Sequence, residues 1–477
     1  MANVNITIDG KNLSVPAGMT ILVAAKANDI YIPTLCFMEK LDPHASCRMC
    51  VVEVEGARTF QHACAAKVRE GMVVHTNTEA VRKSRKLTLQ LLLSDHSVDC
   101  HHCLRIGSSK CNDLDPKFCE MCFFCDCVKD GFCDLQRLAR EYEVDVLPFE
   151  QKHNTHPIDA TTVIVRNPNK CVKCRRCVDV CGKVQTVHNL AASGRGSDVM
   201  IGTAFAKPMR DSACVGCGMC VEVCPTGAIY AMEHKDELVY YAHKDGMKTV
   251  AQLDAALIPE LEKVWKCKPG TVTPEQVAGA LKKIGVDHVI SSECAAQCAV
   301  AKAEALLDER LSEGKPLILS NDPAAWKFLW ANFKEKSDRF AFYPSELELF
   351  GEAAKKEYGA EKVFAFTPIG SAAVEAEEND YVDIAVNPRE LYRIMVRTGA
   401  EPNAKRVSTP ERYPMPAVSG KYGRLLDKLT RNLDAEPEIV TITADGREVR
   451  CALCHNLGQA RKALAAIEQY DVIRAIS

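Results

Sequence analysis

The sequence predicts a multidomain chain of α+β and α/β type, and three observations carry that expectation. Of its 25 cysteines, all but five fall between Cys36 and Cys224, in groups with short and regular spacing. The chain opens on alternating polar and apolar residues (Val4, Ile6, Ile8) and closes that run on Gly10, the pattern of a half-buried strand entering a turn. Beyond about residue 245 helical runs alternate with strand-like ones, as Gln276 to Ile284 does with Val286 to Ser291 and Gly458 to Glu468 with Asp471 to Ile476. That alternation argues for α/β layers with parallel strands. The expected domains are residues 1–80, 81–155, 156–240 and 241–477, with the polar stretch His153 to Asp159 as a linker.

The first domain is expected to be a β-grasp fold: a hairpin from Asn3 to Val15, a helix from Thr20 to Asn28, then a cysteine loop. Cys36, Cys47, Cys50 and Cys64 follow a C-x10-C-x2-C-x13-C pattern. Iron-sulfide cores need soft thiolate donors, and four of them from one loop and one later strand suit a 2Fe-2S cluster. The spacing differs from the C-x4-C-x2-C run of plant-type ferredoxins, although the order of elements does not. Four unrelated buried cysteines would be the bland alternative.

The second domain follows an apolar helical run, Leu87 to Leu93. Its start, His96-x3-Cys100-x2-Cys103, suits a 4Fe-4S cluster with one imidazole ligand, and Cys133 closes the set. An imidazole in place of a thiolate removes one negative charge and raises the potential. Cys100-x2-Cys103-x7-Cys111 is echoed 22 residues later by Cys122-x2-Cys125-x7-Cys133. Cys111, Cys119, Cys122, Cys125 and Cys127 offer a second cluster its ligands with one thiol spare. Cys111, Cys119, Cys122 and Cys125 are the expected set, while the spacing leaves open which cysteine stands aside; an inserted zinc knuckle is the alternative for this insertion.

Cys171, Cys174, Cys177 and Cys181 form a C-x2-C-x2-C-x3-C run that Cys214, Cys217, Cys220 and Cys224 repeat, with Pro225 after the last. In two-cluster ferredoxins the fourth cysteine of one run ligates the other cluster. The expected 4Fe-4S sets are therefore Cys171, Cys174 and Cys177 with Cys224, and Cys214, Cys217 and Cys220 with Cys181. Zinc knuckles use paired C-x2-C and leave the third close cysteine without a role.

The order of these groups resembles the N-terminal half of the iron-sulfur subunit of complex I and of the large subunit of iron-only hydrogenases. The residues that carry the likeness are the Cys36 set, His96-x3-Cys100, Cys-Asp-Leu-Gln at Cys133, and the Cys171 and Cys214 runs, about half the chain; the insertion after Cys103 departs from it. In the other half, LILSNDPAAWKF (Leu317 to Phe328), VFAFTPIGSAAVEAE (Val363 to Glu377) and YVDIAVNPRELYRIM (Tyr381 to Met395) look like the active-site domain of iron-only hydrogenases. Where that family has cysteines, this chain has Asp322, Pro323 and Ile369, and it stops at Ser477, where a third cysteine motif would begin. The resemblance implies a degenerate hydrogenase-like α/β domain without the hydrogen-activating cluster.

Composition excludes some classes. The net charge is -3, with no basic excess for nucleic acid, and no run of apolar residues long enough for a membrane span. The start lacks a signal peptide, and so many thiols committed to metal imply a reducing, cytoplasmic setting. Cys294 and Cys298 would share a helical face and, with Cys451 and Cys454 on a strand, could form a further metal or redox site. No G-x-G-x-x-G, P-loop or other phosphate cradle stands out, so neither flavin nor nicotinamide is expected on this chain.

A hydrogenase-like subunit without its active cluster resembles the corresponding subunit of electron-bifurcating transhydrogenases of the Stn type. That likeness implies an NADH-binding flavin subunit, an NADPH-binding subunit and ferredoxin as partners. The alternatives are a relay subunit of a formate dehydrogenase or hydrogenase complex, and an iron-sulfur cluster assembly protein. One 2Fe-2S and three 4Fe-4S clusters predict about 14 irons per chain, and about 18 with a fourth 4Fe-4S cluster in the insertion. Metal analysis of anaerobically purified protein checks this: about 10 irons would remove the His96 site, and stoichiometric zinc beside about 14 irons would assign the insertion to a knuckle.

Overall fold

A computed structural model describes residues 2–96, 127–129, 131–149, 156–368, 371–403, 405–429 and 431–477. The first strands, Asn3–Ile8 and Lys11–Pro16, pair through a two-residue turn in which Asp9 and Gly10 take φ of 47° and 81°. Turns of that hand match the twist of the strands they join. Met72–His75, Val51–Val54 and Gln61–His62 extend the hairpin into a five-stranded mixed sheet. Helix Ile21–Lys26 covers it, capped by the Thr20 hydroxyl, which accepts from the Val23 amide at 3.3 Å. Its buried Ile21, Ala24 and Ala25 pack with Ile6, Ile8 and Val74.

Helix Glu79–Ser94 leads away from this sheet. Its buried Arg85 donates to the Val51 carbonyl at 2.7 Å and to the Tyr142 hydroxyl at 2.9 Å, which fastens the sheet to the segment behind helix Asp134–Glu141. In the two-run region, strands Ile164–Arg166 and Ile229–Ala231 pair antiparallel and bracket both cysteine runs. The stretch that follows Ser193 begins as the turn of a hairpin, Leu190–Ser193 with Met200–Thr203.

The C-terminal region contains two sheets. One is wholly parallel, in the order His288–Ser291, Thr249–Leu253, Lys362–Phe366, Ile384–Val386. The other runs Phe340–Phe342, Leu317–Ser320, Val472–Ala475, Arg447–Cys454, Glu438–Ala444, and only its last pair is antiparallel. Helices Ser292–Leu311 and Glu346–Tyr358 lie between them: Ala295 and Phe350 pack with Val250 and Ile290 of one sheet, while Ala299 and Leu349 pack with Leu319 and Leu453 of the other. Between Thr398 and Gly423 the described residues form no helix or strand. No described helix is long and apolar enough to cross a membrane.

One expectation is corrected. Cys451 and Cys454 lie three apart on a strand, so the two-residue period sends them to opposite faces, Cys451 into the core with Ala299 and Leu453 and Cys454 into that with Leu329 and Ala460. Cys294 and Cys298 do share helix Ser292–Leu311, but the four thiols do not converge on one site.

The two-run region is locked to the C-terminal region through Gly458. A Cβ there would lie 2.2 Å from the Val184 carbonyl oxygen, and the Leu457 amide donates to Gln185 Oε1 at 2.8 Å. Gly458→Ala must therefore push the regions apart and should cost about 1–3 kcal/mol. Thermal or urea unfolding checks this, and an unchanged curve would show that the contact can give way freely.

Candidate iron-sulfur sites and the strand-end cavity

Backbone conformation shapes both cysteine runs alike. Lys173 and Arg175 hold φ of 53° and 64° at the positions that Gly216 and Gly218 fill in the second run with φ of 79° and 74°. The left-handed turns aim the Lys173 and Gly216 amides back at Cys171 Sγ and Cys214 Sγ, each at 3.4 Å, while the Asn189 amide donates to Cys181 Sγ at 3.2 Å. Such N–H groups favour a thiolate over a thiol.

The eight sulfurs fall into two groups across the runs. Cys171, Cys174, Cys177 and Cys224 line one cavity and interact electrostatically with one another. Cys217, Cys214, Cys177 and Cys181 all act electrostatically on Cys220, and Cys214 and Cys181 on Cys217, so the second group lies close to Cys177 of the first. Burial pushes Cys171 up to about 11 and Cys174 and Cys217 up to about 12, so the bare thiols hold their protons at neutral pH. A coordinated metal draws such a proton off outright. Among the described residues no three ligand side chains gather tightly enough for a single ion. The Cys171 group instead rings a volume, as ligands of a polynuclear core do.

Cys36, Cys47, Cys50 and Cys64 are all buried and form two hydrogen-bonded pairs. The Cys47 thiol donates to Cys36 and holds it down at about 5, while Cys47 itself is raised; Cys64 is likewise lowered by Cys50, which is raised. Cys36 and Cys47 also share one apolar cluster with Leu89, Leu93, Cys133 and Cys174. His96 is buried just beyond Leu93, and Asp95 beside it accepts from Lys173 Nζ at 2.7 Å. Cys133 is thus packed with thiols of both the N-terminal set and the Cys171 group. Cys100, Cys103, Cys111, Cys119, Cys122 and Cys125 lie outside the described residues. Cys127, left over in the ligand count, is buried beside Cys133 and against Gly227.

At the far end, Cys217 packs with Val215, Ala324, Ala325, Phe328 and Leu457, which brings the second group against the C-terminal region. There the parallel strands of both sheets end around one cavity of about 870 Å³, reached by Asp254, Ser292, Asp322, Ser345, Thr367 and Asn387 from successive strand ends. This is where open α/β sheets bind ligands. Burial pushes Glu375, on its wall, up to about 8, so it stands neutral at pH 7 with the Ser345 hydroxyl donating to it. Glu346 is raised as well, chiefly by burial. Lys428 pairs with Asp254 at 3.1 Å, and Arg431, between cavity and Cys217, pairs with Glu222 at 3.0 Å. No cysteine is among the described residues that line the cavity. Asp322 serves instead as a helix cap: one oxygen accepts from the Ala325 amide at 2.9 Å and the other from the Ser477 hydroxyl at 2.9 Å. Ile369 lies outside the described residues.

Residues 1–79 match the model of a 2Fe-2S iron-sulfur cluster binding domain, and residues 210–230 that of a 4Fe-4S binding domain. Residues 247–473 match the C-terminal domain of the iron only hydrogenase large subunit. The NADP-reducing hydrogenase subunit HndD of Solidesulfovibrio fructosivorans is 33% identical over 426 residues, which cover 83% of this chain and 69% of that protein. This chain belongs to the iron-only hydrogenase large-subunit family. Two other relatives share about half of it: the mitochondrial NADH-ubiquinone oxidoreductase 78 kDa subunit of Neurospora crassa (31% identical, 48% of this chain) and NADPH-Fe(3+) oxidoreductase subunit alpha of Geobacter sulfurreducens (32%, 49%). The matches span 27% and 24% of those longer proteins. The chain is thus an iron-sulfur protein related to oxidoreductase subunits.

Sequence reasoning missed the charged wall of the cavity. Glu375 offers one sign, a carboxylate inside the apolar run Ala372 to Ala376; Arg431 offers none, because only the fold brings it to Cys217. The grouping of thiols can be read by electron paramagnetic resonance of the reduced protein. Cys171→Ser and Cys224→Ser should alter the same 4Fe-4S signal, and Cys214→Ser and Cys181→Ser the other. Pairing of Cys224 with Cys214 in that experiment would overturn the grouping.

Proposed function

We propose that this chain is the iron-sulfur relay subunit of an electron-bifurcating NAD(P)H:ferredoxin oxidoreductase, a transhydrogenase-type complex, and that it has no hydrogenase chemistry of its own. The observation that carries the reading is Asp322, which occupies a position where the family has a cysteine and spends both carboxylate oxygens on the scaffold. Carboxylate is a hard donor and a poor replacement for thiolate at an iron-sulfur core.

In this reading residues 1–80 hold a 2Fe-2S cluster on Cys36, Cys47, Cys50 and Cys64. Residues 81–155 hold a 4Fe-4S cluster on His96, Cys100, Cys103 and Cys133, with a fourth four-iron site in the insertion. Residues 156–240 hold two 4Fe-4S clusters on the two cross-run sets, and residues 241–477 are a scaffold. The apolar packing that joins Cys36, Cys133 and Cys174, and then Cys217 to the C-terminal region, supports a series of relays. The clusters pass single electrons and cannot take a hydride, so a flavin on a partner must split the pair delivered by a nicotinamide. That partner binds NADH, a further subunit binds NADPH, and ferredoxin receives the electrons. No two described cysteines are joined by a disulfide, which fits a cytoplasmic protein.

Isolated, cluster-loaded protein should be bleached by dithionite but not by NADH or NADPH, and should neither evolve nor consume hydrogen. Adding the flavin-bearing subunit should restore reduction by nicotinamide, and Cys36→Ser should impair that step while dithionite still reduces the remaining clusters. Rapid bleaching by NADH without flavin, or hydrogen evolution above a no-protein control, would sink the relay reading.

A further inference from the structure

Two of the three tryptophans of the chain stand at the surface, Trp326 with 45% and Trp330 with 41% of their area exposed. Both project from helix Pro323–Asn332, one turn apart, so they share a face. Trp326 stacks on Phe342 with centroids 4.5 Å apart, and Trp330 meets Phe340 edge to face at 5.4 Å. Phe340–Phe342 is the outer strand of its sheet, so the aromatic face continues onto an open sheet edge. Large aromatics left in water beside an unpaired edge mark interaction surfaces.

The opposite face of the same helix is what gives this patch a redox meaning. Ala324, Ala325 and Phe328 pack against Val215 and Cys217, so the tryptophans lie one helix diameter, about 10 Å, from a thiol of the second four-cysteine group. The surrounding charge selects the visitor. Between Trp326 and Phe342 stand Lys327, Lys334, Lys336 and Arg339 against Glu335 and Asp338, an excess of cations on a chain whose net charge is -3. Arg339 is paired with Glu468 at 2.8 Å, and Arg461 adds a cation over the Phe328 and Phe333 rings at 5.0 and 5.5 Å.

We propose that the Trp326/Trp330 face with its lysine rim is the docking surface for a small acidic one-electron carrier of the ferredoxin type. The proposal rests on the relay reading for the electrons it delivers. In the step itself the cluster held by Cys181, Cys214, Cys217 and Cys220 is oxidised by one electron and the iron-sulfur cluster of the carrier is reduced by one, with no proton moved.

The test uses cluster-loaded full chain, reduced with dithionite and freed of excess reductant, mixed in stopped flow with an oxidised acidic two-cluster 4Fe-4S ferredoxin. The double variant Lys327→Glu, Lys334→Glu should slow electron transfer about 10-fold at low ionic strength. It should converge on the wild type in high salt, where steering is screened. Trp326→Ala with Trp330→Ala should slow transfer about 10-fold or more at every salt concentration, because aromatic anchors carry most of the binding energy. Unchanged cluster spectra and dithionite reduction certify that both variants are folded. If the wild type transfers electrons and both variants match it, the docking face is overturned and the relay stands. If the lysine variant instead loses reduction by the flavin-bearing subunit, the face belongs to that subunit and the proposal is overturned. If the wild type reduces no ferredoxin at all, the relay reading fails and the docking face with it.

Discussion

The crossing of the two cysteine runs is the constraint on which the middle of the molecule depends. Cys224 sits with Cys171, Cys174 and Cys177, and Cys181 lies near Cys214, Cys217 and Cys220, so residues about 50 apart in the first group and more than 30 apart in the second are brought together. That closure fixes how strands Ile164–Arg166 and Ile229–Ala231 face each other, and hence where Cys174 and Cys217 point. Cys174 then meets the apolar cluster around Leu89 and Cys133, and Cys217 meets Phe328 and Leu457. Burial outweighs the nearby cations Lys173, Arg176 and Arg431 and keeps these thiols protonated, and metal is what would make such a group of sulfurs favourable as anions.

The same logic explains the C-terminal region by its contrast. Parallel strands that all end on one side create a cavity whether or not anything reactive is placed in it. Here the strand ends supply Asp254, Asp322, Ser345 and Thr367, oxygen donors suited to hydrogen bonding, and Asp322 is absorbed into a helix cap. Two buried glutamates, Glu375 and Glu346, are pushed toward their neutral forms by the loss of water. A wall of this kind stabilises itself through local hydrogen bonds and ion pairs. Fold and chemistry are separable, since the sheets need only apolar packing at Val250, Leu319, Phe350 and Leu453.

Much of the architecture was legible because its signals are local. The hairpin from Asn3, the helix capped by Thr20 and the alternation around Gln276 to Ser291 follow from side-chain period and turn residues. The approach of Cys224 to Cys171, Cys174 and Cys177 around one cavity matches the sharing expected from two runs of identical spacing. The expectation that Cys451 and Cys454 could join Cys294 and Cys298 failed on a geometric point: a spacing of three puts strand residues on opposite faces. The antiparallel hairpin at the end of the second sheet was hidden inside an alternating pattern that parallel strands would also produce.

What the sequence by itself determined is the inventory: how the thiols are spaced, that the cavity segments Leu317 to Phe328 and Val363 to Glu377 contain no cysteine, and where strands alternate with helices. Those properties are encoded by spacing along the chain. Only the tertiary structure decided that Cys36, Cys133 and Cys174 share one apolar cluster, that Arg431 faces Cys217, and that one helix turns Phe328 toward the thiols and Trp326 toward water. These are contacts between residues far apart in sequence, created by the packing of whole layers, and no local period records them.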